Sequence, residues 1–231
     1  MNFFDSLINE FTGYCESFRS ESSCFSPENS WNDIGRSEVI LQRDTAFELE
    51  GTGFSTVTAQ PVKDEVVVIG DNLDSISGKR KFSRVSVVQI EGGEDEQKLY
   101  NLIRKIEYVK YHNFPEGYMV RTSSRAYKEA VRVSKAAVKK GISFEKIGNL
   151  LIGKYKEIPG VKAVKVFFIT DEAVDYTVTE ALAKKNNSIA ETLNHIINSV
   201  NFDCDTCKLK PVCDEVEGMK ELHFKNAGKG M

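Results

Sequence analysis

Apolar residues recur at helical spacing from the first residues of the chain. Phe3, Phe4, Leu7, Ile8, Phe11, Tyr14, Cys15 and Phe18 form one wide stripe, which predicts a helix over about residues 2–19. Aromatic stripes generally bury inside their own chain, so this helix is expected to pack on the domain rather than dock a partner. Cys15 then reads as a small core residue, not a ligand. Residues 20–36 are rich in Ser, Asn, Glu and Asp around Pro27 and read as a loop. The single tryptophan, Trp31, falls in it, either as a lid on the core or as an exposed binding surface.

A strand-rich half follows. Ser37–Gln42, Thr45–Leu49, Phe54–Gln60 and Glu65–Ile69 are short strand candidates. Gly51 and Gly53 read as a hairpin turn between two of them, since a lone G-x-G is weak evidence for phosphate binding. Val66–Ile69 is apolar throughout, as a central strand covered on both faces would be. Gly70-Asp71-Asn72 ends it, residues 71–82 hold Asp, Ser, Gly and the basic run Lys79-Arg80-Lys81, and Arg84–Ile90 is a further strand.

From Glu94 the period becomes helical. Leu99, Leu102, Ile103, Ile106 and Val109 predict a helix to about His112, stopped by Pro115 and Gly117. Tyr118–Thr122 is a strand. Ser123 or Ser124 caps a helix over about 125–140, with Ala130, Val133, Ala136 and Ala137 inward and Gly141 at its end. Ser143 caps another, to about Glu157. Val161–Thr170 is a strong strand. A helix opens at Asp171-Glu172 and runs to about Lys185, where Asn186-Asn187 breaks it. Ser188-x-x-Glu191 is a capping box for a last helix ending near Val200. Strands first and then helices alternating with strands give an α+β fold, a mixed sheet with packed helices, rather than a regular doubly wound one. The division expected is an amphipathic helix over residues 1–22, an α+β domain over 23–200 and a Cys-rich metal-binding tail over 201–231.

Composition narrows the function classes. Lys and Arg number 31 against 34 Asp and Glu, a net charge of −3, so no basic face for nucleic acid is expected. No apolar run reaches the roughly 20 residues that span a bilayer. The acidic N-terminus lacks the features of a signal peptide, and five cysteines without a secretion signal point to a reducing cytoplasm. Only His112, His195 and His223 are present, and no catalytic triad emerges. The carboxylate pairs Asp171/Glu172 and Asp214/Glu215 read as helix starts.

The chemistry concentrates near the carboxyl end. Cys204, Cys207 and Cys213 fall within ten residues as C-x2-C-x5-C, with Pro211 turning the chain toward the third. C-x2-C is the spacing at which one short turn aims two thiolates at one metal, and soft thiolates select iron–sulfur clusters, zinc or copper(I). Three of five cysteines in one window outweighs the reading as ordinary thiols. An iron–sulfur cluster, in its common form [4Fe-4S], is favoured because such clusters accept an odd fourth ligand. Zinc is the alternative, with His223 completing a Cys3His set. Cys15, Cys24, His195 and His223 are the candidates for the fourth position. Asp203, Asp205, Asp214, Glu215 and Glu217 surround the cysteines and would oppose reduction, which fits a low-potential site or simply a solvated acidic turn.

Several segments in order resemble a known family. These are Asp44–Leu49, Val66–Leu73, Tyr118–Arg121, Val133–Lys135, Phe144–Gly148 and Val166–Asp171, followed by the C-x2-C pair. Together, over roughly residues 35–213, they resemble the domain preceding the metal centre in the acetyl-CoA synthase (β subunit) of the carbon monoxide dehydrogenase complex. That family joins CO, a corrinoid-borne methyl group and CoA on a nickel pair bridged to a [4Fe-4S] cluster. The resemblance implies that Cys204, Cys207 and Cys213 are cluster ligands. It implies carbon monoxide dehydrogenase, a corrinoid protein or a ferredoxin as partners. It also implies CoA as a ligand, with Arg121, Arg125, Arg132 and Lys135 as a clamp for its pyrophosphate; the plainer reading of these four is a solvated helix face with ordinary charge pairing. The departures are a shorter gap before Cys213, no fourth cysteine after it and no Cys-Gly-Cys. A full nickel–nickel synthase is therefore not expected from this chain alone. An enzyme acting on a C1 or thioester substrate at an open metal, or an interaction module with structural zinc, are the other readings.

Overall fold

One strand of fourteen residues, β2 (Thr45–Thr58), runs through the centre of the molecule. The computed structural model describes residues 4–91, 96–121, 127–197 and 212. In chain order the elements are α1 (Asp5–Cys15), β1 (Ser20–Cys24), β2, β3 (Glu65–Ile69), β4 (Gly78–Ile90) and α2 (Glu96–Tyr108). Then come β5 (Tyr118–Arg121), β6 (Lys128–Ser134), α3 (Lys135–Lys139), α4 (Phe144–Lys156), β7 (Val161–Ile169) and α5 (Tyr176–Ile197). The strands form a single mixed sheet in the order β1-β3-β7-β4-β2-β6-β5. β2 is parallel to β4, and β3 to β7; the other neighbours are antiparallel. The fold is thus α+β with a seven-stranded mixed sheet.

Helices cover both faces, which is why β3 and most of β4 are buried without alternation. Neighbours on β7 point to opposite sides. Phe168 stacks on Phe144 of α4 with ring centroids 4.5 Å apart, while Phe167 meets Phe11 of α1 edge-on at 5.0 Å. Gly148 lets α4 sit close, since a Cβ there would lie 2.5 Å from Val66 Cγ2. α1 places Leu7, Ile8, Phe11 and Cys15 in the same core as the sheet. None of the described helices is long and apolar enough to cross a membrane.

Several local expectations are corrected. Gly51 and Gly53 make no turn; they lie inside β2, where the neighbouring strands come too close for a side chain. Residues 20–24, read as loop, add β1 to the edge of the sheet against β3. Residues 37–41 form no strand, and β4 begins at Gly78 rather than at Arg84. The helix expected over 125–140 is β6 followed by the short α3. Val131 and Val133 alternate with half-exposed Ala130 and Arg132 at a period of two, and strand pairing to β2 overrides the helix preference of Glu129 and Ala130. Ser134 caps α3 by accepting from Ala137 N; Ser123 and Ser124 lie outside the described residues. The two last helices are one. Asn186 and Asn187 do not break α5, because Asn186 Nδ2 donates to the Ser55 carbonyl at 3.1 Å and Asn187 Nδ2 to Glu191 Oε1 at 2.7 Å. Trp31 is a lid on the core: its Nε1 donates to the Glu116 carbonyl at 2.7 Å and the Lys146 ammonium sits 5.3 Å from its ring centroid.

Candidate functional site: a basic recess over a buried ion pair

The β2–β4 register sets charge against charge. Glu48 lies beside Lys79 and Glu50 beside Lys81, so the acids of β2 face the basic run at the start of β4. Across the other edge of β2, Glu48 pairs with Arg132 of β6. Arg132 Nε stands 2.6 Å from Glu48 Oε1, Lys79 Nζ is 3.5 Å from Oε2, and Arg121 Nη1 from β5 reaches to 4.0 Å. The Arg132 hydrogen bond holds the Glu48 carboxyl below the usual carboxylate range. Arg132 also donates to the Ile40 carbonyl at 3.3 Å.

Around this knot lies a recess of about 670 Å³ lined by Lys79, Arg80, Lys81, Arg121 and Lys128, with Glu50 and Glu129. Most of its cations have acidic partners at the rim. Arg80 bridges Asp71 and Glu172, and Lys128 reaches Glu180 at 2.7 Å. Lys81 instead stands 5.9 Å from the centroid of the Tyr176 ring. The recess therefore offers several ammonium and guanidinium groups toward one opening, the arrangement that suits a phosphate.

Beneath it is a charge pair that periodicity did not reveal. Arg84 and Glu129 are each 3% exposed in their side chains. Arg84 Nε donates to both Glu129 oxygens at 3.0 and 3.1 Å, Nη2 to Oε2 at 2.8 Å, and Nη1 to Ser86 Oγ at 2.9 Å. Gly53 makes room for it, since a Cβ there would fall 1.9 Å from Glu129 Oε2. The signal available in the sequence was a charged residue at the head of the apolar stretch Val85–Ile90; its partner, forty-five positions on, is identifiable only once β2 stands between them in the sheet.

Glu180 on α5 gives a pH test of the rim. Hydrogen bonds from Lys128 and Lys184 lower its carboxyl from the ordinary 4.5 to about 2. Its folded pKa is depressed, so its contribution is complete above pH 4.5 and is lost as the pH falls toward 2. The melting temperature of Glu180→Gln should fall below wild type at pH 6, and the gap should narrow below about pH 4.5 and close only near pH 2. A gap unchanged at pH 3 would contradict these contacts.

Of the four cations expected to act together, the structure brings Arg121 and Arg132 together at Glu48, and only Arg121 of these lines the recess. Lys135 lies apart, donating to the Arg43 carbonyl at 2.8 Å. Arg125 lies outside the described residues, as do Cys204, Cys207, Cys213 and His223. Among the described residues no group of three or more His, Cys, Asp or Glu converges to hold a metal ion. Cys15 is buried in the core, where burial pushes its thiol up to about 12, whereas Cys24 is exposed on the edge strand β1. His195 lies in the last turn of α5.

Comparison with known proteins adds the following. A profile of the family described as CO dehydrogenase/acetyl-CoA synthase complex beta subunit matches residues 34–174, which take in β2 through β7 and most of the recess. The carbon monoxide dehydrogenase/acetyl-CoA synthase subunit alpha of Moorella thermoacetica is 30% identical over 156 residues, covering 64% of this chain and 20% of that subunit. The chain thus accounts for about a fifth of that relative's length. Cys204, Cys207 and Cys213 lie beyond the stretch matched by the family profile.

Proposed function

The chain belongs to the CO dehydrogenase/acetyl-CoA synthase complex beta subunit family, and from that premise we propose that it is a cytoplasmic iron–sulfur protein of one-carbon, corrinoid-linked acetyl-CoA metabolism. Cys204, Cys207 and Cys213 hold the cluster, most simply a [4Fe-4S] cubane. The observation that carries the reading is the pairing of a family-matched α+β platform with C-x2-C-x5-C just after α5. The donor set fits: three thiolates can take three corners of a cubane, leaving one iron for a ligand from elsewhere. A cluster so held supplies one-electron transfer. Carbon monoxide dehydrogenase is the partner to which the family points, with a corrinoid protein or ferredoxin as further candidates. The basic recess is the place for a CoA phosphate group. Arg121 and Lys81 lie on its lining, and Lys81 has no salt bridge among the described residues.

Anaerobic purification followed by metal and sulfide analysis tests this. Brown protein with about four iron and four sulfide per chain is expected. Cys207→Ser should lose most of that iron while keeping the wild-type melting profile of the α+β domain. Full metal retention by this variant would overturn the ligand assignment. Colourless protein with one zinc per chain would replace the reading with a zinc-stabilised interaction module. Nickel alongside iron, with CoA-dependent turnover, would replace it with an enzyme acting on a C1 or thioester substrate. For the recess, CoA binding by wild type should weaken about tenfold in Lys81→Ala.

A further inference from the structure

The two faces of the sheet hold their long helices by different chemistry. On one face α4 buries Phe144, Ile147, Leu151, Ile152 and Tyr155 within thirteen residues, and Phe144 stacks on Phe82 and Phe168. On the other face α5 runs for 22 residues. The large apolar side chains that it buries, among the described residues, are Leu182, Ile189 and Leu193.

The bonds from α5 to the strands are polar. Thr179 Oγ1 meets Ser83 Oγ at 2.8 Å and Thr52 Oγ1 at 3.5 Å, and Asn186 Nδ2 donates to the Ser55 carbonyl at 3.1 Å. Water replaces such bonds when a helix lifts away, so they resist separation less than apolar burial does.

Packing is also interrupted on either side of this seam. A cavity of about 280 Å³ lies where Tyr176 and Thr177 meet Gly51 and Thr52. Another of about 250 Å³ lies where Ala183 and Asn186 meet Gly53 and Ser55. Asn186 Oδ1 is sealed in without a hydrogen-bond partner among the described residues. A buried oxygen in that state raises the free energy of the closed arrangement, and the penalty vanishes once water reaches it.

The start of α5 is fastened. Asp175 N donates to the Tyr14 hydroxyl at 2.8 Å, Asp175 Oδ1 accepts from Thr177 N at 2.9 Å, and Lys128 reaches Glu180 at 2.7 Å. These ties hold the first turn, while the turns from Leu182 onward depend on the seam.

We propose that α5 is a hinged cover, which swings off the sheet from about Leu182 onward while the strands and α4 stay folded. β6 pairs with β2 only as far as Thr52, and α5 packs against β2. Opening therefore joins the two cavities and uncovers the outer edge of β2 beyond that residue.

Hydrogen exchange of the folded full chain, read by mass spectrometry at neutral pH in increasing but non-denaturing urea, tests this. Amides of residues 183–190 should exchange as a group, at least about tenfold faster than those of residues 147–155 in α4. Their urea dependence should be weaker than that of α4, because a partial opening exposes less surface than unfolding does. Leu151→Ala in α4 separates the two processes. It should speed exchange in α4 at least about tenfold and leave residues 183–190 within about twofold of wild type, since α4 is intact in both the closed and the open forms. If that variant does not fold, Ile152→Val gives the same comparison with a smaller change in α4. Equal acceleration of both helices means that α5 leaves only when the whole domain unfolds, and overturns the proposal. Rates that decline smoothly from residue 197 inward, without urea dependence, mean end fraying and overturn it too. None of these readings involves the cysteines, so loss of the cluster reading leaves this one standing.

Discussion

Glu129→Ala is expected to cost the fold about 3–5 kcal/mol and to lower the melting temperature by roughly 6–20 °C. The cause is the guanidinium left behind. Arg84 sits in the middle of the sheet, 3% exposed, and three of its four polar contacts go to the Glu129 carboxylate. With the carboxylate gone, the charge stays buried with only Ser86 Oγ as a side-chain acceptor among the described residues. The pair as a whole contributes much less than that loss, since removing both charges from water offsets most of their attraction. The double variant Arg84→Met with Glu129→Leu should therefore recover most of the lost stability. Urea and thermal melts of the single and double variants decide it. A single variant melting within about 2 °C of wild type would mean that water reaches Arg84.

Gly51→Ala is expected to do comparable damage by a different route, destabilising by about 4 kcal/mol or more or preventing folding altogether. A Cβ at Gly51 would stand 1.7 Å from the Phe82 carbonyl oxygen and 2.8 Å from its carbon. These are backbone atoms of the parallel neighbour β4, fixed by the ladder on both sides, so no rotamer change relieves the clash. Gly13→Ala is the matched control. Position 13 lies on the exposed side of α1 with nothing within 4 Å, and alanine there should stabilise by up to about 1 kcal/mol. Similar soluble yields and melting points for the two variants would refute the close strand approach at Gly51.

The elements with a strong single period were legible in the chain. The Phe11 stripe, the Val66–Ile69 run, the Ser143-capped α4 and the Phe167–Ile169 strand all lie where the hydrophobic pattern put them. The failures share one cause, which is pairing between residues far apart. Gly51 and Gly53 look like a turn unless Phe82 and Glu129 are known to press against them. Glu129–Ser134 looks helical unless β2 is known to offer it an edge. Asn186-Asn187 looks like a break unless Ser55 is known to accept from it. The recess was half legible. The Lys79-Arg80-Lys81 run is visible in the sequence, but Lys128 and Arg121 join it only through sheet order, and Arg132 is drawn off by Glu48. The cysteine spacing is a local signal, complete within one short stretch of chain, so reading it needs no partner from a distant strand.

The sheet order has a bearing on how the protein is made. β7, near residue 165, is the slat between β3 and β4, which the chain itself joins by only the short segment from Gly70 to Ser77. While the polypeptide is still emerging, β3 with β1, and β4 with β2, are two separate ribbons with raw edges facing each other. A nascent or prematurely terminated chain lacking Val161–Ile169 cannot join them, and each ribbon presents a Val-rich edge to other copies. Fragments ending before β7 should precipitate, and the ribosome must release nearly three quarters of this sequence before the two ribbons can become one sheet.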